Sequence, residues 1–253
     1  YVNLGRTGLK VSRVCLGTNM FGAGYVDDER ALSVIDEAYN QGINFIDTAN
    51  GYNAGLSEEI IGRWMKARGN RERIVLATKV RYAVGGDPDT AGSTPKVILR
   101  EVENSLRRLN TDYIDIYYLH QPDDDTPIET TWRALESLVS SGKVRYIGVS
   151  NFAAWQVVEA VNLARNRGWT PPTVTQALHN AISRAVETEL LPMTRSYDIG
   201  TCMYNPLAGG LLTGKYKAGK EAGSDTRFAA NEMYRKRYWN DPQRTAADRF
   251  SRI

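Results

Sequence analysis

Seven short runs of apolar, β-branched residues recur along this 253-residue chain, and a helix-patterned stretch follows each of the first six. The runs cover 14–17, 44–49, 74–79, 114–120, 144–150, 173–178 and 200–205. The helical stretches cover 28–41, 57–68, 94–109, 127–141, 153–167 and 187–197. In the first of them Leu32, Ile35 and Ala38 recur at helical spacing. Such alternation has one economical solution, parallel strands covered by helices. The runs are continuously apolar rather than alternating, as strands buried on both faces must be.

Local signals agree with this pattern. Ser57 reads as a helix N-cap, and Thr94 caps a helix that has Pro95 in its first turn. Gly142 and Gly168 close two others. The opening stretch 2–11 alternates around a Gly-bounded turn and reads as a small β-hairpin. A closed parallel barrel has eight strands, and a seven-stranded one leaves two long edges unpaired. No eighth run follows residue 205. The expectation is therefore an α/β chain, a (β/α)8 TIM barrel with an N-terminal hairpin. It forms a single domain over 1–253 whose C-terminal part, the eighth strand and last helices, is missing.

Four polar residues sit at or just beyond the ends of these runs: Asp47, Tyr52, Lys79 and His120. A parallel barrel brings successive strand ends around one mouth, so the four would converge. A phenol, an ammonium, a carboxylate and an imidazole in one cleft are the parts of a proton-transfer device. Taken singly each has a plainer reading: a packing tyrosine, a solvated lysine, a helix-entry cap, a structural histidine. Their joint placement on one rim favours catalysis.

Composition narrows the alternatives. The net charge of +3 is small, and the one dense basic cluster, Arg235-Lys236-Arg237, is short and ends in aromatic residues, so nucleic acid is not expected as a partner. Two cysteines, Cys15 and Cys202, lie in apolar runs and read as buried free thiols of a reducing compartment. No CxxC or His/Cys cluster offers a metal site. Asp123-Asp124-Asp125 reads as a solvated turn, and Trp132, Trp155 and Trp169 read as packing residues on or beside helices. No leader-like segment or long apolar run is visible, so a cytoplasmic protein with no membrane partner is expected. The oligomeric state is open.

Several stretches are specific enough to name a family. They are Gly17-Thr18-Asn19-Met20-Phe21-Gly22, then Phe45-Ile46-Asp47-Thr48-Ala49-Asn50-Gly51-Tyr52, then Ala77-Thr78-Lys79, and then Tyr118-Leu119-His120-Gln121-Pro122-Asp123. Further on come Gly142-Lys143-Val144-Arg145-Tyr146-Ile147-Gly148-Val149-Ser150-Asn151, and the stretch from Tyr204-Asn205-Pro206-Leu207 through Gly214-Lys215-Tyr216. On these motifs, spread from about residue 4 to 239, the chain resembles the aldo-keto reductases. The resemblance implies a barrel that binds a nicotinamide dinucleotide, usually NADP(H), with NAD(H) left open. It maps a catalytic tetrad onto Asp47, Tyr52, Lys79 and His120. It also implies cofactor contacts at Gly17, Thr18, Asp47, Ser150, Asn151, Gln176, Tyr204, Asn205, Leu207, Gly209 and Lys215. Asn205 departs from the Ser that many members carry.

The chemistry of these residues suits those roles. A free phenol has a pKa near ~10 and needs a neighbouring ammonium to work as an acid and base near neutrality. Tyr52 is thus the expected proton donor, Lys79 its tuner, Asp47 the anchor of Lys79, and His120 the group that orients a carbonyl oxygen. Ser150, Asn151 and Gln176 offer donors and acceptors for a carboxamide, and Tyr204 offers a ring to stack on a nicotinamide. Gly209 to Lys215 satisfies GxxxxGK, but Tyr216 replaces the Ser or Thr that a nucleotide-triphosphatase loop requires. A backbone cradle for a pyrophosphate is the better reading of that loop. The expected function is reduction of a small-molecule aldehyde or ketone by NADPH. The alternatives are a cofactor-binding regulatory subunit similar to the potassium-channel β subunits, and a lysine-dependent aldolase. The last needs a neutral amine, which a neighbouring Asp47 opposes.

Overall fold

The computed structural model describes residues 1–22, 26–216, 223 and 226–251. An antiparallel pair opens the chain, β1 (Val2–Asn3) with β2 (Lys10–Val11), as the hairpin pattern predicts. Strands then alternate with helices: β3 (Leu16–Gly17), α1 (Asp28–Asn40), β4 (Phe45–Asp47), α2 (Leu56–Arg68), β5 (Val75–Val80), α3 (Pro95–Leu109) and β6 (Ile114–Leu119). The series continues with α4 (Ile128–Ser140), β7 (Val144–Ser150), α5 (Ala154–Arg167), β8 (Val174–Leu178), α6 (Leu190–Tyr197) and β9 (Gly200–Tyr204). Strands β3 to β9 form one seven-stranded sheet in strictly sequential order, and the pairs from β3·β4 to β7·β8 are parallel. Sequential parallel order with a helix between strands is the order of a (β/α)8 fold. Beyond β9 the chain forms α7 (Arg227–Ala230), α8 (Glu232–Tyr238) and α9 (Asp241–Phe250), with no further sheet strand among the described residues. Nor is any helix among them long and apolar enough to cross a membrane.

By contacts the chain divides into two compact units. The first comprises 1–176 with 194–202, and the second 177–193 with 203–253. In the first, the two faces of each strand feed two different cores. Ile46 and Leu76 pack outward with Ile35 of α1 and Ile60, Ile61, Trp64 and Met65 of α2. Their neighbours Phe45, Val75 and Ala77 turn to the other face and meet Ile116, Tyr118 and Val174, together with Leu4 and Val11 of the hairpin. Each fully buried Leu, Ile or Phe here contributes about 1.5–3 kcal/mol. The second unit has its own core, in which Leu211 and Leu212 pack against Phe228, Tyr234, Tyr238 and Ala247.

Three local expectations need correction. Ser57 is not the N-cap of α2: the cap is Gly55, in a left-handed conformation, and Ser57 lies inside the helix with its hydroxyl turned to the preceding strands. Of the three tryptophans expected to pack, Trp132 is buried but Trp155 is 63% exposed. Asp124 and Asp125 are exposed in a turn as expected, but the Asp123 side chain is not free in solvent. Its carboxylate accepts from the Ser93 amide and hydroxyl and from Thr126, which ties two loops together. Thr94 does cap α3, accepting from the Val97 amide.

One close approach depends on a glycine. A Cβ at Gly62 of α2 would stand 2.2 Å from the Arg108 carbonyl oxygen of α3. Replacing a mid-helix glycine by alanine ordinarily gains about 1 kcal/mol of helix propensity. A backbone overlap this deep outweighs that gain, so Gly62→Ala should destabilise the protein by about 1–3 kcal/mol. Urea unfolding of the two proteins measures it, and a stabilised variant would refute the packing argument.

Candidate active site

The first unit brings all four strand-end residues together. Lys79 lies in β5, Asp47 ends the adjacent β4, Tyr52 opens a tight 3-10 turn after it, and His120 directly follows β6. Lys79 is completely buried. Its ammonium pairs with Oδ1 of Asp47, donates to the Thr48 carbonyl at 2.7 Å and reaches the Tyr52 hydroxyl at 3.3 Å. A lysine has three N–H donors, and here each has an oxygen. Burial, the largest single influence on Lys79, acts to remove its proton, but the charges of Asp47 and Tyr52 act the other way and together prevail. The pKa is held above the ordinary 10.5. A lysine so firmly protonated is not a Schiff-base nucleophile.

The second oxygen of Asp47 accepts from Nε2 of Gln176 at 3.0 Å. Gln176, expected to face a cofactor, is thus also the partner that completes the carboxylate. The turn carrying Tyr52 is fixed by hydroxyls that the sequence did not single out for this task. Ser57 contacts Thr18 at 2.8 Å and Thr48 at 2.9 Å, and Thr18 donates to the Asp47 carbonyl at 2.9 Å. Gly17 lies opposite Asp47 in the β3·β4 register, and a Cβ there would meet nothing. On the outer side of β5, Thr78 donates at 2.5 Å to Glu58, whose other oxygen pairs with Arg108 at 2.6 Å. Beneath the ammonium lies the Tyr118 ring, 5.8 Å from Nζ. Gly148 makes room for that ring, since a Cβ there would stand 2.4 Å from it.

His120 packs edge-on against two rings, Tyr52 at 5.6 Å and Tyr82 at 4.7 Å between centroids. Burial first, and the Lys79 charge second, push its pKa well below 6.5. The ring is therefore neutral near neutrality. Asn151, in a left-handed conformation after β7, donates to the His120 carbonyl at 2.9 Å and to the Ser150 hydroxyl at 3.1 Å. It locks the ends of β6 and β7 together. Cys15 and Cys202 are half-buried free thiols on the same core, with Nε2 of Gln176 3.9 Å from the Cys202 sulfur.

Tyr82, Gln121 and Arg81 flank His120 and were missed as site residues. The signals for them were weak: Arg81 and Tyr82 lie just beyond Lys79, and Gln121 directly follows His120 inside a motif that assigned it no role. The remaining expected residues lie in the second unit. Tyr204 ends β9, and Asn205, left-handed, accepts from the Tyr234 hydroxyl at 3.2 Å. Leu207 is exposed. Gly209 is left-handed and pressed against Tyr234, where a Cβ would stand 2.8 Å from the ring. The Lys215 ammonium lies 5.0 Å from the Tyr216 ring centre. Among the described residues no group of three or more His, Cys, Asp or Glu is arranged to hold a metal ion.

The profile of the aldo/keto reductase family matches residues 13–253. The chain belongs to that family. It is 46% identical over 224 residues to the uncharacterized oxidoreductase YrpG of Bacillus subtilis, a match covering 85% of this chain and 68% of that protein. It is 40% identical over 222 residues to human aldo-keto reductase family 7 member A3, covering 85% and 66%. It is also 38% identical over 231 residues to a probable voltage-gated potassium channel subunit beta of Oryza sativa, covering 90% and 70%. The chain thus spans about two thirds of the length of these relatives.

Two outcomes follow from the buried charges. Lys79→Met leaves the Asp47 carboxylate buried without its cation and should cost about 3–5 kcal/mol. Adding Asp47→Asn should recover part of that loss, and chemical unfolding of the single and double variants measures both. If the double variant is no more stable than the single, the pair is not what the lysine stabilises. His120 supplies a pH test. Its folded pKa lies below its unfolded value of 6.5, so between the two the unfolded chain binds more protons. That contribution to stability is present above pH 6.5 and is lost as pH falls toward the folded pKa. Thermal unfolding should therefore show a steeper loss on acidification below 6.5 in the wild type than in His120→Gln. Parallel curves would refute a neutral buried imidazole.

Proposed function

We propose that this chain is a reductase of aldehydes or ketones, with Tyr52 as the general acid. The observation that carries this reading is the Lys79 ammonium, bound at once to Asp47, the Thr48 carbonyl and the Tyr52 hydroxyl. A phenol with a fixed cation 3.3 Å away can release its proton, because the phenolate left behind is stabilised. Carbonyl reduction requires a proton at oxygen and a hydride at carbon.

A bound nicotinamide dinucleotide, NADP(H) in our reading, supplies the hydride. The residues at the strand ends suit such a group. The Ser150 hydroxyl is buried, accepts from Asn151, and donates to nothing among the described residues. It is a donor available to a carboxamide oxygen, and Gln176 lies at the end of the next strand. Thr18 and Asn151 hold backbone near by. Within the second unit, Asn205, Ala208, Gly209 and Gly210 are left-handed in a tight turn whose Ala208 and Gly210 amides donate to the Asn205 and Leu207 carbonyls, and we assign the face of this turn to a phosphate. We assign Leu207 and Lys215 to that contact and Tyr204 to stacking.

The remaining steps belong to the protein. Tyr52 Oη holds the proton and delivers it to the carbonyl oxygen. Lys79 holds the phenolate, and Asp47, completed by Gln176, holds Lys79. His120 is neutral, so it donates one hydrogen bond to the carbonyl oxygen without competing for the proton. The buried Tyr118 closes the floor below the ammonium, and Tyr82 packs edge-on against His120.

A second reading is a cofactor-binding subunit with little turnover. It is favoured by the similarity to proteins named as probable channel β subunits of rice and Arabidopsis thaliana, at 38% and 39% identity. Assaying the protein with NADPH and a panel of aldehydes separates the two readings. Oxidation of the cofactor supports the reductase, whereas tight cofactor binding with no turnover supports the subunit. Tyr52→Phe should lower kcat by about 10²- to 10⁴-fold with cofactor affinity nearly unchanged. A fully active variant would remove Tyr52 as the acid. Titration with NADPH and NADH gives the cofactor preference.

A further inference from the structure

Beside His120 stands an arginine that the proposed chemistry does not use. Arg81 follows directly on β5, two residues beyond Lys79. Its φ is 139°, in the half of backbone space that glycine favours. For an arginine this is a strained conformation, and such strain persists where the surroundings enforce it. Here the Arg81 carbonyl is tied to the Gly92 amide at 2.8 Å, which fixes the bend.

The side chain is held on the flank of the tetrad. Gln121, the residue after His120, takes up its guanidinium. The amide orientation that satisfies all neighbours places the Gln121 oxygen 3.2 Å from both Nε and Nη1 of Arg81, and its nitrogen 2.5 Å from the Tyr82 hydroxyl. The guanidinium carbon lies 5.9 Å from the Tyr82 ring centre, and that ring lies 4.7 Å from the His120 ring. Gln121 and Tyr82 therefore fix the fork from one side, and among the described residues its Nη2 edge has no partner. Among the described residues no carboxylate pairs with Arg81. The carboxylate of Asp123, beside Gly92, is engaged by Ser93 and Thr126. A half-buried, pre-oriented fork lacking its counter-ion, one side chain away from the proposed acid cluster, is complementary to a planar anion.

We infer that Arg81 binds a carboxylate carried by the substrate, so that the preferred substrates are carbonyl compounds with an anionic group a few carbons, or one aromatic ring, away from the reacting carbon. Tyr82 forms the wall between the two ends, and Gln121 is the positioning residue of Arg81. This inference rests on the reductase reading for its kinetics but not for its binding.

The test compares 4-carboxybenzaldehyde with its methyl ester, which differs only in the charge. The wild type should have the higher kcat/KM for the acid, chiefly through KM, and added salt should shrink the difference. In Arg81→Gln the ratio of the two kcat/KM values should fall about 10- to 100-fold, with Arg81→Lys between. A wild type indifferent to the charge, or a variant that loses both substrates equally, overturns the assignment. If neither aldehyde is turned over, the reductase reading fails, and calorimetric titration with 4-carboxybenzyl alcohol still decides the arginine. Binding weakened about tenfold or more in Arg81→Gln supports it, and equal or undetectable binding in both proteins overturns it.

Discussion

A buried ammonium on one strand, held by a carboxylate on the next, is the constraint around which the first unit is arranged. Removing two charges from water costs several kcal/mol each, and only close pairing with further hydrogen bonds offsets it. Lys79 and Asp47 meet that condition because parallel strands set their side chains side by side. Asp47 lies opposite Ala77 in the β4·β5 register, so Lys79 projects just past it at the strand end. Thr48 and Tyr52 then occupy the remaining lysine donors, and Gln176 the remaining carboxylate oxygen. Every one of these contacts depends on the registers of neighbouring strands.

The supporting layers explain why the pair can persist. Outside β5, the Glu58–Arg108 pair with Thr78 fixes the same strand to α2 and α3. Inside, Tyr118 fills the space below the ammonium because Gly148 has no side chain to occupy it. The Thr18, Thr48 and Ser57 hydroxyls hold the turn that presents Tyr52. The site is thus built on rigid strand ends and one short turn, which suits a proton transfer that needs fixed distances.

Much of this was legible in the chain. Continuous apolar runs alternating with helical periodicity specify parallel strands, and the strand ends name their own polar residues. Thr94 and Pro95 marked the start of α3 because capping is a local interaction. The failures share a physical reason. Ser57 has the chemistry of a cap, but its hydroxyl finds better partners in Thr18 and Thr48, just beyond the ends of β3 and β4. Trp155 has the hydrophobicity of a core residue but sits at the first turn of α5, open to solvent. That the Nε2 of Gln176 also completes Asp47 was likewise not legible, because the two residues lie far apart in the chain. Arg81 lies outside every motif, and Gln121, though inside one, shows no link to it in the sequence, because their meeting depends on a bent backbone.

The sequence by itself determined the succession of strands and helices, the polar residues at the strand ends and their chemical types. These follow from periodicity, propensity and side-chain chemistry, all of which act over a few residues. Only the tertiary structure decided which of those groups touch: that Lys79 is wholly buried and remains charged, that His120 is neutral, and that Arg81 meets no carboxylate among the described residues. Ionisation and pairing depend on burial and on partners tens to more than a hundred residues away in the chain, and folding alone sets both.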